Sequence, residues 1–296
     1  MTKTVVFSDM HGREFVVKDL FRKIGLMDAE GNRAPGFKTI QIGDLLSLGY
    51  GEQEAQFLSW IREGNFIDIS LCGNHEYPSI GPYPDQMTFV GYEDRDIVAE
   101  QMIRSEFNKA RMEDDPNMWV AATYVGDWLI THAGASIQVQ KELGIGKTAK
   151  EYAEQLNEMW IDHIVNKTPD PIFINPADHT GGIFWHRLQY LRAGYRAQHV
   201  PQIVGHSGWD HNKKFSPPAY QNADKNLIAI DTPGSCCALI TEDDGENWDI
   251  VTSDYEVHYG QGRRGQAPTE WQDAIREITP LDELPTLDKR QGWLPN

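Results

Sequence analysis

The feature that most constrains the fold is a recurring pattern of short, strand-like apolar segments that each stop abruptly in glycine or polar residues. The first three cover residues 4–7, 39–42 and 66–72, and amphipathic stretches of helical spacing follow the first two. Strands that alternate with helices indicate βαβ units, in which parallel strands are buried on both faces of the sheet. The first half of the chain is therefore predicted to be α/β.

The second half is predicted to be richer in β structure. Its candidate strands are residues 119–125, 128–131, 202–204, 227–230 and 236–240. The first two flank Gly126-Asp127 and are typical of a hairpin. Helical stretches at about 97–112 and 148–165 are long enough to cover a sheet face or form a cap.

The chain is predicted to form one principal domain over residues 1–254. Its 296 residues, 40% of them hydrophobic and 24% charged, have an ordinary globular composition, and no internal repeat or flexible linker divides them. A cap insertion is possible at about 77–119. The apolar pattern thins after Asp254, so residues 255–296 are expected to be a partly ordered C-terminal extension.

The charge balance disfavours polyanionic partners. Lys and Arg number 27 against 44 Asp and Glu, and the net charge of -17 repels nucleic acid and anionic membranes. No apolar run is long enough to cross a membrane and residues 1–8 lack a signal pattern, so a cytoplasmic protein is expected. Three cysteines, Cys72, Cys236 and Cys237, make no disulfide framework and are expected to be free core thiols.

Potential metal ligands follow the candidate strands directly. They are Asp9, His11, Asp44, Asn74, His132 and His206. In open α/β sheets the carboxyl ends of the strands lie along one edge, where ligands bind. Imidazole and carboxylate groups suit first-row divalent cations, and six such residues fit two ions sharing a carboxylate. Each residue alone is an ordinary turn, cap or core residue, but their joint order after successive strands is improbable by chance.

The motifs Asp-x-His-Gly, Gly-Asp, Gly-Asn-His-Glu, His-Ala-Gly and Gly-His-Ser occur in that order. In these motifs the chain resembles the calcineurin-like metallophosphoesterases, and among them the serine/threonine phosphoprotein phosphatases of the bacteriophage and bacterial type. The resemblance covers about residues 3–241. It implies an α/β metallophosphatase fold, a β-sandwich of two mixed sheets flanked by helices, with a dinuclear metal centre at the sheet edge.

The resemblance also implies a role for each motif residue. Asp9 and His11 are expected to hold one ion and Asp44 to bridge, with Asn74, His132 and His206 holding the second ion. His75 is expected to stay off the metals and act as general acid toward the leaving oxygen. The cofactors implied are two divalent metal ions, with manganese preferred and iron, zinc or magnesium as alternatives.

Substrate binding is where the sequence departs from the family. In this chain, Ser47 and Leu48 replace the second Asp and the Arg of the family's Gly-Asp-x-x-Asp-Arg-Gly motif. The replacement removes a phosphate-binding guanidinium. Arg187, in Phe184-Trp185-His186-Arg187, resembles the phosphate-gripping Arg of bacteriophage-type members. Arg13 is a second candidate, because it lies two residues after His11.

These features predict a metal-dependent phosphoester hydrolase that uses a metal-bound hydroxide, most simply a phosphomonoesterase acting on a small phosphorylated substrate or a phosphoprotein. A dinucleoside polyphosphate or nucleotide phosphohydrolase is the enzymatic alternative. A catalytically weakened protein that binds a phosphorylated ligand is the non-enzymatic alternative, motivated by Ser47, Leu48 and the C-terminal extension.

Overall fold

A computed structural model of the chain describes residues 2–46, 53–83, 96–113, 115–174, 182–191, 199–207, 219–222, 224–231, 236–242, 245–257 and 275–277. The strands are β1 Lys3–Phe7, β2 Phe37–Gln41, β3 Ile69–Leu71, β4 Met118–Val120, β5 Ala122–Val125, β6 Trp128–Thr131, β7 Gln202–Val204, β8 Tyr220–Gln221, β9 Leu227–Ala229, β10 Cys237–Thr241, β11 Asp249–Thr252, β12 Tyr255–Val257 and β13 Ile275–Glu277. The helices are α1 Glu14–Lys23, α2 Gln53–Glu63, α3 Tyr77–Ile80, α4 Ile97–Met112, α5 Ile137–Leu143, α6 Ala149–Val165 and α7 Leu188–Leu191.

Two mixed sheets form the centre of the fold. The six-stranded sheet, called here the first sheet, has the order β11-β10-β1-β2-β3-β4, and the five-stranded second sheet has the order β5-β6-β7-β9-β8. Strands β1 to β4 run parallel to one another, as do β6, β7 and β9. The antiparallel pairs are β10 with β1, β11 with β10, β5 with β6 and β8 with β9. The predicted sandwich of two mixed sheets with flanking helices is confirmed.

Alternate residues of each strand face different layers. Val6 of β1 packs between the two sheets in a cluster with Ile130 of β6 and Ile203 of β7. Its neighbours Val5 and Phe7 point the other way, into the larger core that includes the buried face of α1. This two-residue period explains why β1 is apolar from Val5 to Phe7, since both of its faces are covered there.

The predicted strand at residues 119–125 is divided between the sheets. Residues 118–120 pair with β3 in the first sheet, whereas residues 122–125 form the predicted hairpin with β6 in the second. The chain turns at Ala121, where the side-chain oxygen of Asn157 accepts hydrogen bonds from the backbone N–H groups of Ala121 and Ala122, both at 3.0 Å. A side chain of α6 thus accepts the hydrogen bonds of backbone groups that have no strand partner where the chain passes from the first sheet to the second.

The long helices lie close to the predicted positions. Helix α4 begins after Asp96, whose carboxylate accepts hydrogen bonds from two N–H groups of the first turn. Helix α6 begins with a reciprocal capping box between Thr148 and Glu151. No helix in the described ranges is both long and apolar enough to cross a membrane. In the C-terminal extension after Asp254, the described residues are those of β12 and β13, which pair antiparallel. The boundaries of the domain, the cap insertion and the extension remain predictions.

Candidate metal centre

The loops after β1, β2, β3, β6 and β7 meet at one edge of the sandwich, because these strands run parallel within their sheets. Three of the candidate ligands have left-handed backbone conformations, with φ of 49° at His11, 52° at Asp44 and 61° at His206. Such conformations cost about 1–3 kcal/mol each at non-glycine residues and concentrate at functional sites. The backbone strain at these three residues therefore lowers the stability of the fold, and it accompanies the orientation of the candidate ligand side chains.

Glycines precede three of the candidate ligands and leave room for the polar groups. A Cβ atom at Gly43, Gly73 and Gly205 would lie 2.7 Å from His132 Nδ1, 2.2 Å from Asp44 Oδ1 and 2.2 Å from Asp9 Oδ1, respectively. These separations are shorter than any tolerated non-bonded contact. Any side chain at these positions would displace a candidate ligand, which explains the Gly-Asp, Gly-Asn and Gly-His pairs.

Four candidate ligands converge in a buried group. Asn74 Oδ1 lies 2.9 Å from His132 Nε2 and 2.7 Å from His206 Nδ1, and Asp44 Oδ1 lies 3.5 Å from His132 Nε2. The other ring nitrogen of His132 donates to the carbonyl oxygen of Ile42 at 3.0 Å. Burial lowers the pKa of His132 to about 3, so the ring is neutral and its Nε2 carries a lone pair.

The lone pair of His132 therefore faces two acceptor oxygens, those of Asn74 and Asp44. Acceptors that converge in a buried space repel one another, and a cation between them stabilises the arrangement. An amide oxygen, a carboxylate and two imidazoles are ligands that suit a first-row divalent ion. The donor set fits a metal ion.

A second group forms beside the first around Asp44. The Nε2 atoms of His11 and His75 lie 3.9 Å and 3.7 Å from Asp44 Oδ2, and their rings are 5.1 Å apart. Asp9 Oδ2 accepts from the backbone N–H of His206 at 3.0 Å. Asp9 Oδ1 and His206 Nε2 are buried without a hydrogen-bond partner among the described residues. Asp44 thus borders both groups, and unsatisfied atoms remain for an ion.

The charges of the site also favour bound cations. Burial, followed by the carboxylates of Asp231 and Asp44, raises the pKa of Asp9 well above its usual range. Burial and the carboxylate of Glu76 raise the pKa of Asp44 in the same way. Buried carboxylates that repel one another are stabilised in their charged forms by divalent ions. The cluster therefore fits two ions better than none.

Glu76 is a site residue that the sequence reasoning missed. Its buried carboxylate accepts hydrogen bonds from the N–H groups of Asp44 and Gly73, both at 2.9 Å, and of Leu46 at 3.1 Å. Burial raises its pKa to about 7. It ties the loop of Asp44 to the loop of Asn74. Its position directly after His75 was the available signal.

The two candidate phosphate-binding arginines differ in their surroundings. Arg13 is buried, and its Nε and Nη2 donate to the carbonyl oxygens of Met10 and Asp9, both at 2.8 Å. Arg187 is half-buried, and its positive charge acts on Asp44, His132 and His206, although burial is the larger cause of each pKa shift, so it lies near the cluster. Ser47 and Leu48 lie outside the described residues.

The fold is an α/β sandwich of two mixed sheets with a polar centre at the strand ends. Solved structures of phosphatases share it. A cold-active protein-tyrosine phosphatase of a psychrophile, Shewanella sp., is 19% identical with a TM-score of 0.55, over 86% of this chain and 80% of that one. A further structure of a cold-active protein tyrosine phosphatase is 17% identical with a TM-score of 0.53, over 85% and 78% of the two chains.

At these identities the likeness shows the fold, and it confirms the architecture expected from the motif resemblance. No protein-family model matches the chain. No curated protein matches it either. The roles of individual residues therefore rest on the geometry of the site.

Proposed function

We propose that this protein is a metal-dependent phosphoester hydrolase, specifically a phosphomonoesterase of the phosphoprotein phosphatase kind. The observation that carries the proposal is the convergence of the His132 lone pair with the oxygens of Asn74 and Asp44 in a buried space. The structurally similar proteins are named protein tyrosine phosphatases, which supports a phosphomonoester on a protein as the substrate. A small phosphorylated molecule would present the same group.

The proposed ligands follow from the two groups of side chains. Asp9 and His11 would hold one ion, and Asn74, His132 and His206 the other, with Asp44 between them. Two divalent ions held there would activate water as a nucleophile and neutralise charge on the phosphoryl group. We propose manganese first, with iron, zinc or magnesium as alternatives, because nitrogen and oxygen ligands accept all four.

His75 is proposed as the general acid that protonates the leaving oxygen. About 19% of its side chain is exposed, whereas that of His132 is fully buried, so the ring of His75 is open to a substrate. Its backbone N–H donates to Asp44 Oδ1 at 3.0 Å, which fixes the residue beside the proposed bridging carboxylate. A ring held in this way can give a proton to a departing alkoxide.

Arg187 is proposed to bind the substrate phosphate. Its guanidinium is close enough to the cluster for its charge to act on His206, and the residue is only half-buried, which leaves room for a ligand. Arg13 is the second candidate, but two of its nitrogens already donate to backbone carbonyls. A cytoplasmic location is also proposed, because all three cysteines are buried free thiols, as expected in a reducing compartment.

A substrate panel tests the proposal. Phosphotyrosine and phosphoserine peptides, small monoesters, diesters and dinucleoside polyphosphates should be assayed with manganese, magnesium, zinc and no metal. We expect metal-dependent hydrolysis with monoesters preferred, and loss of that activity in Asp44→Asn. Preference for diesters or polyphosphates would overturn the monoesterase assignment. Absence of hydrolysis with every metal would overturn the enzyme assignment.

A further inference from the structure

The short segment that carries Arg187 is fastened to the loops of the second sheet. The carbonyl oxygen of Ile183 accepts a hydrogen bond at 2.7 Å from the N–H of Ala133, which directly follows the candidate ligand His132. The ring of Trp185 stands edge-on to the ring of His206, with centroids 5.8 Å apart and planes at 76°. The segment therefore contacts His206 and the residue after His132 before the chain reaches Arg187.

A single hydroxyl group then holds the backbone on both sides of Arg187. Ser207 Oγ donates to the carbonyl oxygen of His186 at 3.3 Å and accepts from the N–H of Leu188 at 3.0 Å. Ser207 is only 7% exposed, so water competes little for these bonds. The hydroxyl uses its single O–H donor on one neighbour of Arg187 and one of its two acceptor lone pairs on the other.

This arrangement restricts the direction in which Arg187 can point. Leu188 is the first residue of α7, where a backbone N–H has no partner inside the helix, and Ser207 supplies that partner. The bond to His186 fixes the preceding peptide group. With both adjoining peptide groups held, the backbone dihedral angles of Arg187 have little freedom, and the start of its side chain is set.

We propose that Ser207 is a positioning residue that aims the Arg187 guanidinium at the substrate phosphate. The inference rests on the proposed function, because it assumes that Arg187 binds phosphate. Ser207 directly follows His206, so the same loop would set both a ligand of the second ion and the direction of the phosphate-binding group. The loop would thereby hold the phosphate-binding guanidinium at a fixed position relative to that ion.

The test is a double-mutant cycle on phosphate binding. The dissociation constant of inorganic phosphate should be measured by calorimetry on the manganese-loaded protein, together with manganese content. Loss of a hydroxyl that makes two neutral hydrogen bonds should weaken phosphate binding about three- to tenfold in Ser207→Ala. Ser207→Thr keeps the hydroxyl and should bind nearly as well as the unaltered protein. Ser70→Ala removes another buried hydroxyl, in β3, and should leave the dissociation constant of phosphate unchanged.

The decisive comparison is made in the Arg187→Ala background. If Ser207 acts through Arg187, adding Ser207→Ala there should cause no further loss of phosphate affinity. Equal losses in both backgrounds, equal weakening by Ala and Thr, or lost manganese in Ser207→Ala would overturn the inference. Unaltered phosphate affinity in Ser207→Ala would overturn it while leaving the proposed function intact. Failure of the unaltered protein to bind phosphate would overturn both.

Discussion

The two sides of the site are held together by different kinds of groups. On the first-sheet side, the ligand loops are tied by buried ionisable residues: the Arg13 guanidinium donates to the carbonyls of Met10 and Asp9, and Glu76, in its carboxylate form, accepts from three backbone N–H groups. On the second-sheet side, apart from the Asp9 carboxylate that accepts from the N–H of His206, the ties come from neutral side chains. Gln202 accepts from the N–H of Ala135 at 2.8 Å and donates to its carbonyl at 2.9 Å, and Ser207 holds the flanks of Arg187.

Under the proposed function, this difference would separate metal binding from phosphate binding within one site. Hydrogen bonds to charged groups contribute about 1.5–3 kcal/mol, against about 0.5–1.5 kcal/mol for neutral pairs. The first-sheet side therefore fixes the Asp44 loop firmly, whereas the second-sheet side holds the Arg187 segment with weaker bonds. Changes on the first side should damage metal binding, and changes around Arg187 should damage phosphate binding alone.

The largest effect is expected from Asp44→Asn, at the border between the two groups. An amide in place of the carboxylate removes charge from both ions, and loss of several kcal/mol of stabilisation lowers turnover about a thousandfold or more. Steady-state kinetics with added manganese would measure it. Activity within tenfold of the unaltered protein would remove Asp44 from the bridging role.

The next effect concerns proton donation by His75. His75→Asn should lower turnover of alkyl phosphates by about 10²–10⁴, because their leaving oxygen requires a proton. The loss should be smaller with nitrophenyl phosphate, and metal content should not change. Because His75 lies 3.7 Å from Asp44, lost metal in this variant would identify His75 as a ligand instead.

Glu76→Gln tests the charged tie of the first-sheet side. The amide keeps the size of the side chain but can no longer accept from all three N–H groups. We expect manganese affinity to fall about ten- to a hundredfold, as for other groups that orient metal ligands. Glu142→Gln, an exposed change of the same charge, is the control. Equal metal affinity in both variants would show that the two sides do not differ as described.

Arg187→Ala tests the phosphate-binding side. Removal of one charge-assisted contact should weaken inhibition by orthophosphate or vanadate about ten- to a hundredfold, with metal content unchanged. Arg22→Ala, on the exposed face of α1, is the control. If inhibition persists in Arg187→Ala, Arg13 becomes the candidate phosphate ligand, and the separation of tasks fails.

The helices and strands could be predicted from the sequence because they depend on local periodicity, whereas their arrangement in two mixed sheets was implied by the motif resemblance. Residues 97–112 form α4 as expected, and the candidate ligands lie after the strands that the apolar segments predicted. Parallel strands bring their carboxyl ends to one edge whatever the loops contain. Packing of the two sheets against each other then brings His132, after β6, within 2.9 Å of Asn74, after β3, although 58 positions separate them in the sequence.

The groups that fasten the site could not be predicted in this way, because they act over long separations without a periodic signal. The turn at Ala121 depends on Asn157, which lies on a helix 36 positions further along. The bonds of Ser207 to the neighbours of Arg187 likewise join segments that only the tertiary fold brings together. Arg13 has the residue type expected of a phosphate ligand, and only the structure reveals its bonds to carbonyls.

The most direct test of the account is the metal stoichiometry of the protein at saturating manganese, measured by equilibrium dialysis and elemental analysis. The convergence of His132, Asn74 and Asp44 beside the group of His11 and Asp9 predicts about two ions per chain. Asp44→Asn should bind clearly fewer. A single ion per chain in a fully active protein, or no manganese bound by an active protein, would contradict the dinuclear centre.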